Sequence, residues 1–407
     1  MDFELPAEDD PRRVAIREWL AANPAPTGRA LAEAGYVAPH WPEPWGLDAD
    51  PIHQIIIDDE LRRARVSRPN NMIGIGWAGP TILHAGTQEQ KDRYLFPLLA
   101  GEEIWCQLFS EPNAGSDLAN LGTRAERDGD EWIVNGQKIW TSLAQFSTYG
   151  ILIARTNPEA AKHKGISYFI CPMDAPGVEI RPIIEMTGGH TFNEVFLTDV
   201  RLPAENLVGE VNEGWTLAKV TLGNERVSLS GGGALWGQGP SASDLFDLIR
   251  QGGGIEDPLL RQRAAALFIE SEVLRLIRLR TVTAAIKGEA PGPEASVRKV
   301  LADEHGQHIM ALYKDLCGSA GMLAGGMTDT DGSGGESLLL GGEGRWADPG
   351  IWHYGYLFAQ ALTIGGGTGD VQRNIIAERV LDLPHDVDVE AGHTWAESRR
   401  LAGSPAA

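Results

Sequence analysis

The spacing of apolar side chains changes twice along this chain and divides it into three parts. From 11 to about 101, apolar residues recur every three or four positions, as on amphipathic helices, with a proline-rich break at 39–44. From about 104 to 208 they alternate with polar residues, which is typical of strands. From about 212 to 383 the helical spacing returns, and Pro384 ends it. The pattern predicts helices on either side of a compact sheet.

The middle part contains the strand signals. Its β-branched and aromatic runs are separated by Pro, Gly and Asp, as in a small barrel or sandwich, and they lie at 150–155, 166–170, 178–180 and 195–197. Within 131–140, Asn135-Gly136 separates two alternating runs, which predicts the turn of a β-hairpin.

We therefore expect an α+β fold in which a β-domain is inserted between two helical domains. The predicted parts are an N-terminal helical domain at 1–103, a middle β-barrel domain at 104–210, a C-terminal helical bundle at 211–385 and a flexible tail at 386–407. Of two glycine-rich stretches, 251–258 is expected to be a loop and 325–344 a flexible loop or a lid.

A carboxylate occupies an apolar position on the first helix after the β-domain. Trp215, Ala218, Leu222, Glu225 and Leu229 are spaced three or four residues apart, so they share one helical stripe. Burial raises the pKa of a carboxyl group towards neutrality unless a cation compensates, and such a base suits removal of a proton from carbon. Glu225 is therefore a candidate general base. The alternative is a glutamate on the helix surface that pairs with a neighbouring arginine.

The composition limits partners and compartment. The 407 residues are 43% hydrophobic and 22% charged, and the net charge of −21 argues against a nucleic-acid surface and against binding to anionic membranes. An anionic substrate would need a local positive patch. Three widely spaced cysteines, Cys106, Cys171 and Cys317, fit neither a disulfide framework nor a metal site. With no targeting segment and no run of about 18 apolar residues, the chain is expected in the cytosol.

Two motifs have the chemistry of a site for a flat ligand. The turn Ser110-Glu-Pro-Asn-Ala-Gly-Ser116 lets the backbone approach a ligand closely and offers hydroxyl and N–H groups. Trp140, next to Thr141 and Ser142 on a strand, supplies a flat wall with donors at one edge. The alternative is that these residues belong to the core of a sheet.

These motifs resemble those of the acyl-CoA dehydrogenase family. The segment 109–117 is similar to the family's Thr-Glu-Pro-x-Ala-Gly-Ser-Asp signature, and 135–142 is similar to its flavin-wall strand. The segment 84–91 resembles the family's N-terminal helix signature, and 365–374 resembles its C-terminal loop and helix. Four motifs occur in the family's order over roughly residues 80–381, which implies the three-domain acyl-CoA dehydrogenase fold.

The resemblance implies FAD as the cofactor, an acyl-CoA as the substrate and no metal. Phe109 and Ser110 would contact the flavin ring, and Ser116 would contact its pyrophosphate or the thioester arm of the substrate. The residues expected to flank the ring near N5 are Trp140, Thr141 and Ser142.

The family desaturates an acyl-CoA thioester: a carboxylate removes the α-proton while hydride leaves the β-carbon for flavin N5. In many members the carboxylate is the Glu of a Tyr-Glu-Gly-Thr segment, where this chain has Gly-Gly-Gly-Thr at 365–368. In a subgroup similar to isovaleryl- and long-chain-acyl-CoA dehydrogenases it is a Glu before Arg on the helix after the β-domain, which matches Glu225-Arg226. The resemblance therefore implies that Glu225 is the base. Gly366 would polarise the thioester carbonyl through its backbone N–H, and Thr368 would contact FAD.

Two further expectations concern the substrate. Arg226 would help to seat the ligand, and a role as a surface cation of the helix is an equal alternative. A glycine at the usual base position removes bulk, so the acyl group is expected to be larger or more branched than a simple medium-chain fatty acid, for example a steroid side chain.

The segment that a family member contributes to the flavin site of the neighbouring subunit is altered here. An Arg-x-x-Phe-Gly segment, whose Arg reaches the neighbouring subunit's FAD, corresponds to 249–258, where Phe-Gly is absent. Arg250 could substitute, but Glu256 and Asp257 would repel a pyrophosphate. The family's Gly-Gly-Asn-Gly segment is reduced to 317–321. In this the chain resembles the bacterial heteromeric acyl-CoA dehydrogenases of steroid side-chain breakdown, in which two unlike subunits share each FAD.

We therefore expect the base-bearing subunit of a heteromeric enzyme, assembled as α2β2 with a second acyl-CoA dehydrogenase-like subunit, or else a self-associating chain. Electrons would pass to an electron-transferring flavoprotein. The alternative function is a non-catalytic structural subunit, and a flavin oxidase or oxygenase on the same fold is a third. Glu225 separates the first two, because a scaffold needs no carboxylate on that stripe.

Overall fold

A computed structural model describes residues 6–229, 234–236, 239–286, 292–293, 295–322 and 349–401. For 226–229, 282, 285 and 286 it describes the backbone alone. The predicted loop or lid at 325–344 therefore lies outside the described residues, as do the side chains of Arg226 and Leu229.

The N-terminal part is helical, as predicted. Its helices are α1 (Pro11–Ala22), α2 (Gly28–Glu33), α3 (Pro51–Arg63), a π-helical turn (Gly74–Ala78) that continues into α4 (Gly79–Ala85), and α5 (Gln88–Ala100). Local signals in the sequence set their ends. Asp10 and Asp50 accept hydrogen bonds from backbone N–H groups at the starts of α1 and α3, and a proline follows each of them. Gly101 ends α5 in the left-handed conformation.

The middle part is an eight-stranded mixed sheet. Its strands are β1 (Trp105–Leu108), β2 (Arg124–Asp128), β3 (Glu131–Ser142), β4 (Tyr149–Arg155), β5 (Ile166–Pro172), β6 (Val178–Pro182), β7 (Phe192–Pro203) and β8 (Leu207–Val208). They are paired in the order β6-β7-β3-β2-β4-β5-β8, and β1 pairs in parallel with β4. The α+β class predicted from the sequence is confirmed.

The predicted hairpin turn at Asn135-Gly136 is wrong. Both residues lie inside β3, and the β2–β3 hairpin turns near Gly129, which has φ of 60°. Gly136 is required for a different reason: a Cβ atom there would come within 2.3 Å of the Thr123 side-chain oxygen on the neighbouring chain segment. The pairing with β7 shifts register at this point, and Asn135 and Asp199 exchange hydrogen bonds across the shift.

Strands β4 and β5 are buried on both faces. One face packs against the N-terminal helices and the first C-terminal helix through Ile151, Ile153, Ile166, Tyr168 and Ile170. The other face fills the interior of the middle domain through Leu152, Ala154, Phe169 and Cys171. This explains why their sequences are nearly continuous apolar runs. The middle sheet thereby joins the first two parts of the chain and the start of the third in one core.

The C-terminal part is again helical. Its helices are α6 (Gly214–Leu229), α7 (Ala242–Gln251), α8 (Pro258–Ile286), α9 (Ala295–Leu316), α10 (Pro349–Phe358), α11 (Gly369–Arg379) and α12 (Trp395–Leu401). The stretch predicted to be a loop at 251–258 does connect α7 to α8, with Gly253 and Gly254 at positive φ. The buried apolar side chains of this part between Ala234 and Leu362 form a separate cluster.

The prediction of a flexible tail from 386 is wrong over 395–401. Trp395 is 2% exposed and packs on the middle domain, where the Arg155 guanidinium lies 4.7 Å from its ring centroid. The same guanidinium donates to the carbonyl groups of Ala119 and Lys162, and burial lowers the pKa of Arg155 to about 10. A charge buried in this way needs a closed environment, which the tail provides.

Two of the three cysteines are inside the sheet. Cys106 and Cys171 are fully buried and free, and burial raises the pKa of the Cys106 thiol to about 12. Burial raises the pKa of Cys171 as well. Cys317, after α9, is half-buried.

We expect Trp395→Ala to lower the free energy of unfolding by about 3–5 kcal/mol, because it removes a large buried ring and opens the Arg155 site to water. Urea unfolding measures this. The matched control is Val389→Ala in the same segment, where the side chain is 85% exposed and the change should stay within about 0.5 kcal/mol. Equal midpoints for the two variants would show that the tail is not docked.

Candidate active site

A cavity of about 1420 Å³ is lined by residues from all three parts of the chain. Apart from Thr141 and Arg226, every residue predicted to act in the site lines this cavity. The lining residues that were predicted are Phe109, Ser110, Ser116, Trp140, Ser142, Glu225, Gly366 and Thr368. Arg226 cannot be placed because its side chain is outside the described residues. The structure thus brings together residues that are far apart in the sequence.

Glu225 lies on the inward face of α6. Its side chain is buried, with the residue 6% exposed, and Gln107 Nε2 donates to Glu225 Oε2 at 3.2 Å. Ala218, two steps earlier on the predicted stripe, is fully buried, while Trp215 and Leu222 are half-buried and line the cavity. A carboxylate that is shielded from water and faces a cavity can act as a base towards a ligand in that cavity.

A buried hydrogen-bonded cluster fixes the helix one turn before this carboxylate. Thr221 Oγ1 lies 2.8 Å from Thr81 Oγ1 and 3.1 Å from the Tyr168 hydroxyl oxygen. Thr81 belongs to α4 and Tyr168 to β5, so all three parts of the chain meet at this point. The rotation of α6, and with it the direction of Glu225, is set by these contacts.

Trp140 forms an exposed aromatic wall of the cavity. The residue is 57% exposed, its backbone has φ of 60°, and the pairing of β3 with β7 shifts register between Lys138 and Thr141. Trp140 and Ser142 are two residues apart and line the cavity, while Thr141 between them is fully buried. An exposed indole that lines a cavity offers a flat apolar surface which a ligand can cover.

The loop that carries Phe109, Ser110 and Ser116 is tied to β3 by a buried ion pair. Lys138 Nζ donates to Glu111 Oε1 at 2.8 Å and to the Phe109 carbonyl at 3.0 Å. The Glu111 carboxylate also accepts from the backbone N–H groups of Gly122 and Thr123. Burial raises the pKa of Glu111, but the Lys138 charge and these hydrogen bonds outweigh it and hold that pKa below its usual value. The motif's glutamate therefore holds the loop in place.

The glycine loop at 365–368 precedes α11. Gly366 has φ of 66° and Gly367 has φ of 84°, conformations that favour glycine. Gln372 Nε2 donates to both of their carbonyl groups, and the Thr368 hydroxyl caps α11. Among the described residues, the Gly366 N–H has no acceptor, so it is available to a ligand. A Cβ atom at Gly365 would come within 2.6 Å of Trp236, so this indole occupies the room next to Gly365.

Several lining residues had not been predicted. They include the cations Lys164, Lys219 and Arg379 together with His163, and also the carboxylates Glu185 and Glu213. Cations in the cavity of a chain whose net charge is −21 are candidate contacts for an anionic substrate. Gln107 was missed too, because a glutamine in an alternating strand carries no signal of its role.

Comparison with known proteins identifies the family. Family models of acyl-CoA dehydrogenase match this chain at 9–102 (N-terminal domain), 106–200 (middle domain) and 212–381 (C-terminal domain). The chain belongs to the acyl-CoA dehydrogenase family. It is 41% identical over 371 residues to acyl-CoA dehydrogenase FadE34 of Mycobacterium tuberculosis, covering 91% of this chain and 48% of that protein. The chain thus spans about half the length of this relative.

Other acyl-CoA dehydrogenases are similar over most of their length. Acyl-CoA dehydrogenase IpdE1 of M. tuberculosis is 38% identical over 358 residues, which cover 88% of this chain and 87% of that protein. The solved structure of the Tcur3481-Tcur3483 steroid ACAD matches with a TM-score of 0.73 and 30% identity, covering 95% of this chain and 100% of that one. The ChsE4-ChsE5 complex of M. tuberculosis matches with a TM-score of 0.71 and 32% identity, over 95% and 100%. The family predicted from the four motifs is confirmed.

In the described ranges, no helix is long and apolar enough to cross a membrane. Over the same ranges, no three His, Cys, Asp or Glu side chains come together in a way that could hold a metal ion.

We expect Lys138→Met to lower the free energy of unfolding by about 3–5 kcal/mol, because it leaves the Glu111 carboxylate buried without its cation. Urea unfolding of the double variant Lys138→Met/Glu111→Gln should recover most of the loss, since the amide carries no charge. Lys164→Met, at an exposed lysine of the same cavity, should change stability by no more than about 0.5 kcal/mol. No recovery in the double variant would contradict the role given to the pair.

Proposed function

We propose that this chain is the base-bearing subunit of an FAD-dependent acyl-CoA dehydrogenase, in which Glu225 removes the α-proton of the thioester. The observation that carries the proposal is the burial of Glu225 on the wall of the cavity that Trp140, Ser142 and Gly366 also line. Family membership gives the reaction type, and the cavity gives a place for it.

The residues present fit FAD. Trp140 offers an exposed flat ring for the isoalloxazine to cover, and Ser110 and Ser142 place hydroxyl groups on the same cavity wall. At about 1420 Å³ the cavity exceeds the roughly 300–1,000 Å³ of a usual ligand site, so it has room for a flavin and a thioester together. Phe109, Ser110, Ser116, Trp140, Ser142 and Thr368 would hold the cofactor. When bound, FAD accepts the hydride that leaves the β-carbon.

Thr141 is less suited to the role given to it by the family resemblance. Its side chain is fully buried and does not line the cavity, and its carbonyl accepts a hydrogen bond from Asn193 Nδ2 at 3.1 Å. Thr141 Oγ1 is buried and has no hydrogen-bond partner among the described residues. We propose that Thr141 supports the bulge that presents Trp140, and that Ser142, which lines the cavity, offers its hydroxyl to the ligand.

Removal of an α-proton requires both a base and a stabiliser for the charge that develops on the thioester. Glu225 would accept the proton on a carboxylate oxygen, in surroundings from which water is largely excluded. The Gly366 N–H would donate to the thioester carbonyl oxygen, where the negative charge collects. Arg226 remains a candidate for seating the ligand.

The substrate is proposed to be a bulky or branched acyl-CoA, of which steroid side chains are one class. The description of a structural relative as a steroid ACAD favours this reading. Lys164, Lys219 and Arg379 each line the cavity and are candidate contacts for the phosphate groups of CoA.

The assembly is proposed to include a second acyl-CoA dehydrogenase-like subunit, as α2β2, with an electron-transferring flavoprotein as the acceptor. Two solved relatives are named as pairs of gene products. In this chain Arg250 is the candidate for the arginine that reaches the neighbouring subunit's FAD. It is exposed and pairs with Asp247 on its own helix. The adjoining loop also carries Glu256 and Asp257. A partner that supplies a better cation would complete the flavin site.

A structural subunit without catalytic activity is the second candidate function. It is favoured only by the altered segment at 249–258, which would leave a homomeric flavin site incomplete. The burial of Glu225 at the cavity wall argues against it, because a scaffold gains nothing from a carboxylate there.

We expect Glu225→Gln to slow flavin reduction by about 10²–10⁴-fold, since it removes the proton acceptor and keeps the shape of the side chain. The measurement is anaerobic flavin bleaching of the co-expressed complex with octanoyl-CoA, isobutyryl-CoA and a steroid-side-chain CoA thioester. Glu213→Gln, at an exposed glutamate of the same cavity, is the matched control and should keep the parent rate. Full activity of Glu225→Gln would favour the structural subunit.

Flavin content tests the proposed assembly. Purified alone, the chain should hold well under one FAD per subunit, whereas co-expression with its acyl-CoA dehydrogenase-like partner should raise occupancy several-fold, because the partner supplies the missing cation. Absorbance of the bound flavin against protein measures this. Equal occupancy in both samples would rule out a site shared between unlike subunits.

A further inference from the structure

We propose that Gln107 is a positioning residue for the base: its amide keeps Glu225 in the anionic form and fixes the direction of its carboxylate. This rests on the proposed role of Glu225. Gln107 lines the cavity, and its Nε2 donates to Glu225 Oε2 at 3.2 Å. A hydrogen bond donated to a carboxylate favours its charged form.

The orientation of the amide follows from the charge of its partner. An ionised carboxylate only accepts hydrogen bonds, whereas a glutamine carries a donor and an acceptor on one flat group. The N–H side must therefore face Glu225 while it is anionic. Gln107 Oε1 is buried and has no donor among the described residues. A buried carbonyl without a donor opposes folding, so stability alone does not explain why the amide is held in this way.

The backbone gives Gln107 little freedom to move. It lies on β1, where it is paired with Ile151 of β4, and its two neighbours Cys106 and Leu108 are fully buried. Two residues further on, β1 leads into the loop of Phe109 and Ser110. The strand β1 and the loop that follows it therefore carry, respectively, the amide that holds the base and the residues proposed to contact the flavin.

A half-turn of the amide would let the same residue serve the state after proton transfer. The proton leaves the α-carbon, its bonding electron pair stays on the substrate, and a Glu225 carboxylate oxygen gains an O–H. Gln107 Oε1 can accept that O–H once the amide has rotated, so the unmet acceptor becomes satisfied when the base is protonated.

Other charged groups near α6 have to be considered in any pH profile. Those that line the same cavity are His163, Lys164, Glu185, Glu213, Lys219 and Arg379. Those on the elements that pack against α6 are His84, Tyr149, Arg155, Tyr168 and Cys171 and, on α9, Arg298, Lys299, Asp303, Glu304, His305, His308, Tyr313, Lys314 and Asp315. Of the charged groups on α9, Lys299 is paired with Asp303, and His305 and His308 are paired with Glu270. Gln107 Nε2 donates to Glu225 Oε2 from the neighbouring strand β1.

The test is the pH profile of anaerobic flavin reduction by the parent complex and by Gln107→Leu, with the CoA thioester of the panel that reduces the parent fastest. Loss of the donor favours the protonated base, so the acidic limb should move up by about one pH unit. At pH values below the limb the rate should fall by about tenfold, and it should approach the parent rate in alkaline solution. A merely structural role would lower the rate equally at every pH.

Gln107→Glu provides a second variant if Gln107→Leu folds poorly. A like charge beside Glu225 should move the acidic limb further up than the leucine does. Gln372→Leu is the matched control: it is also a buried glutamine lining the cavity, but its amide donates to Gly366 and Gly367. This control should leave the position of the limb unchanged. Thermal melting and flavin content show whether each variant is folded.

The outcomes separate this proposal from the one on which it rests. An inactive Glu225→Gln together with an unshifted limb in both Gln107 variants would overturn the role of Gln107 and leave the base in place. An active Glu225→Gln would overturn the proposed function itself. A shifted limb in the Gln107 variants and not in Gln372→Leu supports the positioning role.

Discussion

The ammonium group of Lys138, enclosed by the sheet, is the contact on which the candidate site depends. It binds the Phe109 carbonyl and the Glu111 carboxylate from the middle of β3. Trp140, the exposed wall of the cavity, lies two residues further along the same strand. A single buried cation thus fixes the distance between the loop and the wall that are proposed to enclose the flavin. Such a pair stabilises the chain only when both partners are present, which makes the two halves of this wall interdependent.

The base is positioned by a different set of contacts. Glu225 is on α6, which is joined to α4 and β5 through the hydroxyl groups of Thr81, Thr221 and Tyr168. The glycine loop that offers the Gly366 N–H follows Leu362, which belongs to the apolar cluster of the later C-terminal helices. Base, carbonyl donor and flavin wall therefore come from three different elements, which are α6, the loop before α11 and β3. Their relative placement relies on the core that β4 and β5 share with the helices on one side.

Much of this arrangement could be predicted from the sequence. The two changes of apolar spacing gave the α+β order, and the stripe of α6 gave the burial of Glu225, because both signals come from local periodicity. The signals that failed depend on contacts between distant segments. Gly136 does not form a hairpin turn; a glycine is needed there because Thr123 of another segment comes close to it. Trp395 packs against Arg155, which is far away in the sequence. Gln107 was invisible for the same reason, since its partner is on another element.

The buried cysteines have a practical consequence for work on this chain. Neutral thiols that water cannot reach do not react with alkylating reagents or peroxide, so Cys106 and Cys171 should stay unmodified in the folded protein. Cys317, which follows α9, is half-buried and is therefore the thiol that a maleimide should reach first. It is not among the residues that line the cavity, so a fluorophore attached there would mark the chain away from the candidate site.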